Sequence, residues 1–379
     1  MINAAANRPF QECTKCILDT NDYPEMHFNS NGVCEICNIY GDLAKRTLFK
    51  DGAGKAKLEQ LIADIKEAGK GKEYDCIVGI SGGVDSTYVA WLSKQWGLRP
   101  LVLHVDNGWN AELAVMNIEN IVKKLGYDLY TYVLNWNQIK DLQLAFMKAS
   151  VIDIDLPFDN AFMAVLYQLA AKHKIKYILS GHNTETEGYL PPNWVHNKLD
   201  TINIRDIHKH YGTENIKGFP MIGIIRMWYY KKIKKIEMAT PLNFIDYNKD
   251  EVKKFIINEL EWRDYGGKHY ENIFTRFYQG YILLEKFGVN KRKSHLATLI
   301  CSGQITKEQA IEENKKPVYD TELLKIDKDY FLKKFRLSEE EFNKMMAMPP
   351  KAHTDFKSYM NIYKKLRPAY LIIKKLIGK

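Results

Sequence analysis

An apolar run, Cys76-Ile77-Val78-Gly79-Ile80, leads straight into Ser81-Gly82-Gly83-Val84-Asp85-Ser86, and a helical pattern follows. A strand, a glycine turn and a helix in that order constrain this chain more than any other feature. At such a turn, free N–H groups and the positive end of a helix dipole meet and favour an anion. Gly82 and Gly83 let the backbone approach a phosphate, and Ser81 and Ser86 add hydroxyl donors. Asp85 would repel a phosphate unless a cation lay between them, so the pattern points to a pyrophosphate with Mg2+ bridging to Asp85. The Walker loop is excluded, because no lysine follows the turn. A plain glycine turn is the competing reading, and the number of matched positions in the right context speaks against it.

The chain around this loop alternates strands and helices. Strands are expected at 75–80, 100–105, 128–133 and 176–179, and helices at 84–96, 112–125, 137–149 and 159–172. Strands separated by helices make an α/β fold with a doubly wound parallel sheet, whose ligands bind at the carboxyl ends of the strands. The polar loops fall at those ends. Asp106 and Asn107 are expected to face a nucleotide, while Gly181, His182 and Asn183 close the site. Standing alone, the first pair would pass for a turn and His182 for a capping or core histidine. After about residue 240 the pattern becomes mostly helical, with Pro241 and the run 246–251 marking a turn and a helix start.

Cys13-x-x-Cys16 and Cys34-x-x-Cys37, with seventeen residues between the pairs, have the spacing of two zinc knuckles. Four thiolates close the coordination shell, so the zinc would be structural. Two disulfides or an iron–sulfur cluster are the alternatives. A segment this short buries little core, and a metal can fold it. The expected organisation is a zinc ribbon at 1–42, a lysine-rich helical linker at 43–73, an ATP-binding domain at 74–240 and a helical substrate or partner region at 241–379.

No stretch approaches the roughly 18 apolar residues of a membrane span, and the first residues lack a signal-peptide core, so a cytoplasmic location is expected. The net charge of +9 calls for an acidic partner without choosing one. The last 23 residues hold seven basic residues and no acidic one. They read as a solvated helix face with its leucines and isoleucines packed inward, rather than a membrane anchor, since Pro368 interrupts any long amphipathic helix.

The Ser81–Ser86 signature resembles the PP-loop of ATP pyrophosphatases, which split ATP to AMP and pyrophosphate. The chain as a whole resembles the N-acetyl sugar amidotransferases, a PP-loop family of bacterial surface-polysaccharide pathways. The likeness rests on the cysteine knuckles, on SGGVDS, on VDNGWN at 105–110 and on SGHNTETEG at 180–188. Its most specific parts are YGGKHYENIFTRFYQGY at 265–281 and KRKSHLATLICSGQIT at 291–306.

The resemblance implies that an acetamido group on a nucleotide-activated amino sugar becomes an acetamidino group, in lipopolysaccharide or O-antigen biosynthesis. ATP adenylates the carbonyl oxygen, and ammonia displaces AMP. It implies ATP, Mg2+ and structural Zn2+ as cofactors. Asp85, Ser81 and His182 become catalytic candidates, and Ser81, Gly82, Gly83, Asp85, Ser86, Asp106, Asn107, Gly181 and Asn183 hold the nucleotide. Many PP-loop enzymes carry aspartates where Glu185 and Glu187 stand; Glu187 is the preferred second contact for Mg2+. Lys268, His269, Arg276, Arg292 and Lys293 are candidates for the anionic nucleotide-sugar, with an ordinary surface charge the competing reading for each.

A glutaminase needs an activated cysteine. Outside the knuckles only Cys76 and Cys301 remain, and both are expected in the core. Ammonia is therefore expected from outside. In the family resembled, a separate glutaminase and a barrel-like ammonia-conducting subunit, both similar to histidine-biosynthesis proteins, supply it. The rival enzyme is a PP-loop tRNA-modifying protein, a thiolase or lysidine-type ligase, although nucleic acid is not expected as a partner. The non-enzyme rival is a zinc-ribbon nucleic-acid binder with a vestigial nucleotide fold.

Overall fold

A computed structural model describes residues 9–188, 190–267 and 270–363. Its centre is a five-stranded, fully parallel sheet in the order β3-β2-β1-β4-β5. The strands are β1 (Cys76–Gly79), β2 (Pro100–Asp106), β3 (Asp128–Val133), β4 (Tyr177–Leu179) and β5 (Glu237–Ala239). Helices α1 (Glu35–Thr47) and α2 (Gly52–Ala68) precede the sheet, α3 (Val84–Gln95) joins β1 to β2, and α4 (Glu112–Leu125) joins β2 to β3. The crossing from β3 to β4 uses α5 (Trp136–Ala149) and α6 (Leu156–Lys172).

The winding reverses at β1. The chain moves from β1 outward to β3, then crosses back to lay β4 on the other side of β1. Adjacent loops leave in opposite directions at that point and open a crevice beyond the carboxyl ends of β1 and β4.

Both faces of the sheet are covered, which is why the inner strands read as continuous apolar runs. Successive side chains point to opposite faces. Ile77, Leu101, Leu103 and Ile178 join Leu142, Phe146 and Val165 of α5 and α6 on one side. Cys76, Val78, Val102 and Leu179 join Val89, Ile118 and Ile121 of α3 and α4 on the other. Local signals set the helix ends. Asp51 caps α2 by accepting from the amides of Ala53 and Gly54, and α4 stops at Gly126 with φ 65°.

The expected strands and helices before residue 180 are present, with small shifts at their ends. α6 starts at Leu156 rather than 159, because Pro157 suits a first helical turn. β5 was not anticipated. It has three residues and follows Lys231, Lys232, Lys234 and Lys235, so it carries too little periodicity to be seen. After residue 240 the described chain is helical, as expected.

Two regions outside the sheet position the site. The N-terminal segment folds around the four cysteines and continues into α1, which passes residue 42 and ends beside the β4 loop, where the Thr47 and Thr184 hydroxyls are 3.0 Å apart. The helix Lys291–Ser302 packs on the other side of that segment through Ala297. Among the described residues, no helix is long and apolar enough to cross a membrane. Most of the basic tail lies outside the described residues.

Candidate active site and cysteine centre

The loop after β1 is built around two glycines with different tasks. Gly82 has φ 83°, and a Cβ there would sit 2.5 Å from the Ala114 carbonyl oxygen. Only glycine fits both the conformation and the space. Gly83 is the residue before α3, and among the described residues no side chain caps that helix. First-turn amides normally find a side-chain partner, so an uncapped end at a strand terminus is an open anion seat. Ser81 and Ser86 shape the turn. The Gly83 amide donates to Ser81 Oγ at 3.3 Å, and Ser86 Oγ donates to the Gly83 carbonyl at 3.3 Å.

The β4 loop is pressed against the same helix end. A Cβ on Gly181 would meet the Ser86 amide nitrogen at 2.7 Å and the Asp85 backbone carbon at 2.8 Å. Glycine at 181 is what lets the two loops touch. Buried Asn183 then bonds Asp85 Oδ1 through Nδ2 at 3.3 Å, while its Oδ1 accepts from the Thr186 amide. His182 Nδ1 lies 2.6 Å from Glu187 Oε2. Glu187 therefore stands at the crevice edge. Glu185 does not: it is fully buried, with Lys50 Nζ 2.8 Å from its Oε1.

Asp85 is surrounded by residues that motif reasoning missed. The Tyr247 hydroxyl donates to its Oδ1, and Lys249 Nζ lies 3.5 Å from its Oδ2. Burial and then the Asp85 carboxylate push the Tyr247 hydroxyl far above its usual pKa, so it stays a donor. One Asp85 oxygen is thus engaged, and among the described residues the other meets Lys249. A monodentate carboxylate beside an uncapped helix end fits Mg2+, which keeps most of its shell as water and phosphate oxygen. In the sequence the run 246–251 reads only as a turn and a helix start. A tyrosine and a lysine flanking that helix's Asn248 cap were the available signal.

A segment from the distant C-terminal half lies over the loop. The Trp262 indole donates to the Gly82 carbonyl at 2.8 Å. A Cβ on Gly83 would come within 3.3 Å of the Tyr265 hydroxyl oxygen, and burial, then Glu271 and Asp85, raise that hydroxyl's pKa. The segment continues to the β2 loop, where the Ala111 amide donates to the Glu271 carbonyl and Asn272 Nδ2 donates to Asn107 Oδ1 at 3.0 Å.

That contact corrects one expectation. Asn107 is buried and joins the β2 loop to Asn272 instead of facing a nucleotide. Asp106 forms the turn, its Oδ1 accepting from the Gly108 amide at 2.7 Å and Asn110 Nδ2 at 2.9 Å.

Three substrate candidates are also redirected. Arg276 makes a buried bidentate pair with Asp327, at 2.6 and 2.7 Å. Arg292 donates to the carbonyls of Asn314, Lys316 and Pro317 and so caps the helix Lys307–Lys315. Lys293 ties its helix to Asp19 and Asp22 of the cysteine segment, at 2.8 and 2.5 Å. Each cation is consumed inside the fold. Lys268 and His269 lie outside the described residues.

Sγ atoms of Cys13, Cys16, Cys34 and Cys37 are all buried and within 4.8 Å of one another. The Cys16–Cys34 and Cys13–Cys37 separations are 3.8 and 3.9 Å. A tetrahedron with zinc–sulfur bonds of about 2.3 Å has edges of about 3.8 Å. One convergent cluster, with no disulfide in it, is compatible with zinc and leaves the two-disulfide alternative without support. Backbone amides of Cys16, Leu18 and Cys34 point at these sulfurs and would steady thiolates.

Cys76 is buried in β1 as expected. Cys301 is not an ordinary core residue. It is half-buried, and its thiol points at Cys37 Sγ from 3.3 Å. Such a donor would withdraw charge from a ligand sulfur.

Comparisons with known proteins find similarity to one family model and to a few relatives. Residues 271–367 match the family model described as LPS biosynthesis protein WbpG-like, C-terminal domain. The uncharacterized protein MJ1599 of Methanocaldococcus jannaschii is 25% identical over 327 residues, covering 82% of this chain and 96% of that protein. The glutamine-hydrolyzing GMP synthase of Pyrobaculum aerophilum is 24% identical over 234 residues, 61% of this chain and 40% of that protein. Among solved structures, NMN synthetase from Francisella tularensis shares 13% identity with a TM-score of 0.30, over 58% of this chain and 90% of that one. Among the described residues the chain has a five-stranded parallel sheet, a helical region after it and a compact cysteine cluster. Its C-terminal match supports the amidotransferase-like family that the motifs resemble.

Proposed function

We propose that the chain is an ATP-dependent amidotransferase that converts an acetamido group of a nucleotide-activated amino sugar to an acetamidino group. The observation that carries this reading is the uncapped α3 terminus, with Asp85 and the β4 loop converging on it. An amide carbonyl is a poor electrophile with a poor leaving group. Attack of its oxygen on the α-phosphorus of ATP forms an O–P bond and releases pyrophosphate. Ammonia then adds to the activated carbon, and AMP leaves with the former amide oxygen.

The loop amides and Lys249 would stabilise the charge that develops on the departing pyrophosphate. Asp85 and Glu187 are the carboxylates that would hold Mg2+, which supplies further charge neutralisation there. His182, held against Glu187, would take a proton from incoming ammonia. Four cysteines would hold a structural zinc that fixes the N-terminal segment beside the β4 loop.

The WbpG-like match supports lipopolysaccharide biosynthesis as the setting, and a cytoplasmic location follows from ATP and nucleotide-sugar supply. The similarity to a glutamine-hydrolyzing synthase supports nitrogen from glutamine. Among the described residues, no cysteine stands at the crevice: Cys76 is sealed under the sheet and Cys301 sits on Cys37. A separate glutaminase and a barrel-like conduit would then deliver ammonia. The same absence of a crevice thiol weighs against the tRNA-thiolating alternative.

The test is incubation with ATP, Mg2+, ammonium and a panel of acetamido nucleotide-sugars. AMP and pyrophosphate should form together with one sugar only. Release of ADP and phosphate, or AMP release driven by tRNA, would overturn the reading.

A further inference from the structure

The face opposite the crevice has a character of its own. The helix Ile224–Trp228 runs on as the π-helix Tyr229–Ile233 and leads into the amino end of β5. Only Met227 and Tyr230 of this stretch are buried. Ile225 is 80% exposed, and Trp228 and Ile233 are each 55% exposed, with Ile224 and Tyr229 beside them. Scattered exposed apolar residues are normal; a contiguous row on one helix marks a contact surface.

Charge says what kind of contact. Arg226, Lys231, Lys232, Lys234 and Lys235 are all exposed, and residues 224–236 contain no acidic side chain. Lys176 and Lys72 extend the positive area along the amino edge of the sheet. Lys176 Nζ donates to the Lys234 carbonyl and Lys72 Nζ donates to the Lys174 carbonyl at 2.9 Å. Burial, and then the Lys72, Lys234 and Lys235 cations, lower the Lys176 pKa, which reports the same crowding of charge. A groove of about 500 Å3 next to the helix is lined by Arg205, Ile225, Arg226, Tyr229 and Tyr359. Beside this groove the Thr201 and Tyr359 hydroxyls lie 3.4 Å apart.

We propose that this face docks on an anionic lipid membrane. Tryptophan, tyrosine and isoleucine flanked by lysines is the composition of an interfacial helix, with rings at the headgroup level and ammonium groups reaching lipid phosphates. The crevice lies at the opposite, carboxyl edge of the sheet, so it would stay open to soluble substrates while the protein is attached.

The experiment uses the full chain and sonicated vesicles of phosphatidylcholine, alone or with a quarter phosphatidylglycerol, in co-sedimentation at low and high salt. Anionic vesicles should bind at least tenfold better than neutral ones, and salt should weaken binding. The Ile225→Ser, Trp228→Ser, Ile233→Ser triple variant should lose at least tenfold, as should Lys231→Ala, Lys232→Ala, Lys234→Ala, Lys235→Ala. Both should keep the wild-type melting temperature and ATP turnover. Equal binding to neutral vesicles, no binding, or binding that survives both helix variants would overturn the proposal. So would a chain ending at Tyr363 that loses all binding while the helix variants retain it. A wild-type dimer in sedimentation velocity that the serine variant abolishes would assign the face to a second copy instead.

Discussion

The cysteine cluster and the pyrophosphate loop both gather distant side chains at one point, and they do so by opposite means. The cluster has four thiols aimed at a common centre, all buried, inside a small apolar shell of Leu18, Met26, Ile36 and Ala297. Its geometry depends on what sits in the middle. The loop is held from outside by the packed sheet, by Trp262 and by the β4 loop, and its middle is left to a ligand. A closed centre serves stability, and an open one serves chemistry.

Four changes would break or sharpen that contrast. The largest effect is expected for Asp85→Asn. It should cut sugar-dependent pyrophosphate release on the order of 10^3-fold, with bound zinc and melting temperature nearly unchanged, as measured by coupled phosphate assay, metal analysis and calorimetry. A collapse of the fold would show that Asp85 is structural through Tyr247 and Asn183.

Next comes Cys34→Ser. Zinc content should fall from one equivalent to near zero, and amide exchange should rise across residues 9–47, while the sheet stays protected. Activity should fall less than in Asp85→Asn. Unchanged exchange would mean that the segment folds without metal.

Lys50→Met follows, because it strands the buried Glu185 carboxylate. Removing one partner of a buried pair costs about 3–5 kcal/mol, and the half-exposed Lys50 sets the expectation at about 3 kcal/mol in urea unfolding. A change below about 1 kcal/mol would mean that Glu185 finds another cation.

The last is a pH dependence, invisible at neutral pH and read only on the acid side. His353 is buried, with Nδ1 2.8 Å from Asn203 Oδ1 and Nε2 accepting from the Asp153 amide at 3.2 Å. Burial, with the neighbouring His196 next, lowers its pKa to about 3. The folded state therefore refuses a proton that the unfolded histidine accepts below about pH 6.5. Stability from this group is full above that pH and drains away as pH falls toward 3. Buried Asp155, held up at about 7 chiefly by burial, works in the other direction. The comparison must be differential: His353→Gln should flatten the acid side of the unfolding free-energy profile relative to wild type. Parallel profiles would remove His353 from the account.

Legibility in the sequence followed distance along the chain. The β1 loop and the cysteine knuckles are local patterns in which residue type and spacing carry the geometry. The inner strands were visible because a sheet covered on both faces demands unbroken apolar runs. Tyr247 and Trp262 were invisible as site residues, since they reach Asp85 and Gly82 across 162 and 180 positions. The reverse error came from Arg276, Arg292 and Lys293. Their chemistry suits an anionic substrate, but Asp327, three helix-end carbonyls and the Asp19–Asp22 pair had already claimed it. Residue type says what a cation can bind, and only the fold says what has reached it first.

The hydrogen bond from Trp262 to the Gly82 carbonyl also sets a schedule. During synthesis residue 82 emerges long before residue 262, and domains begin to fold as they appear. The nascent sheet can form β1 through β3 while the roof of its nucleotide pocket is still being translated. A nucleotide-competent loop is then among the last things the protein finishes. An excised 74–240 fragment would keep the signature and lack Tyr247, Lys249, Trp262 and Tyr265. For this chain the smallest unit that can be expected to handle ATP is larger than the stretch that announces it.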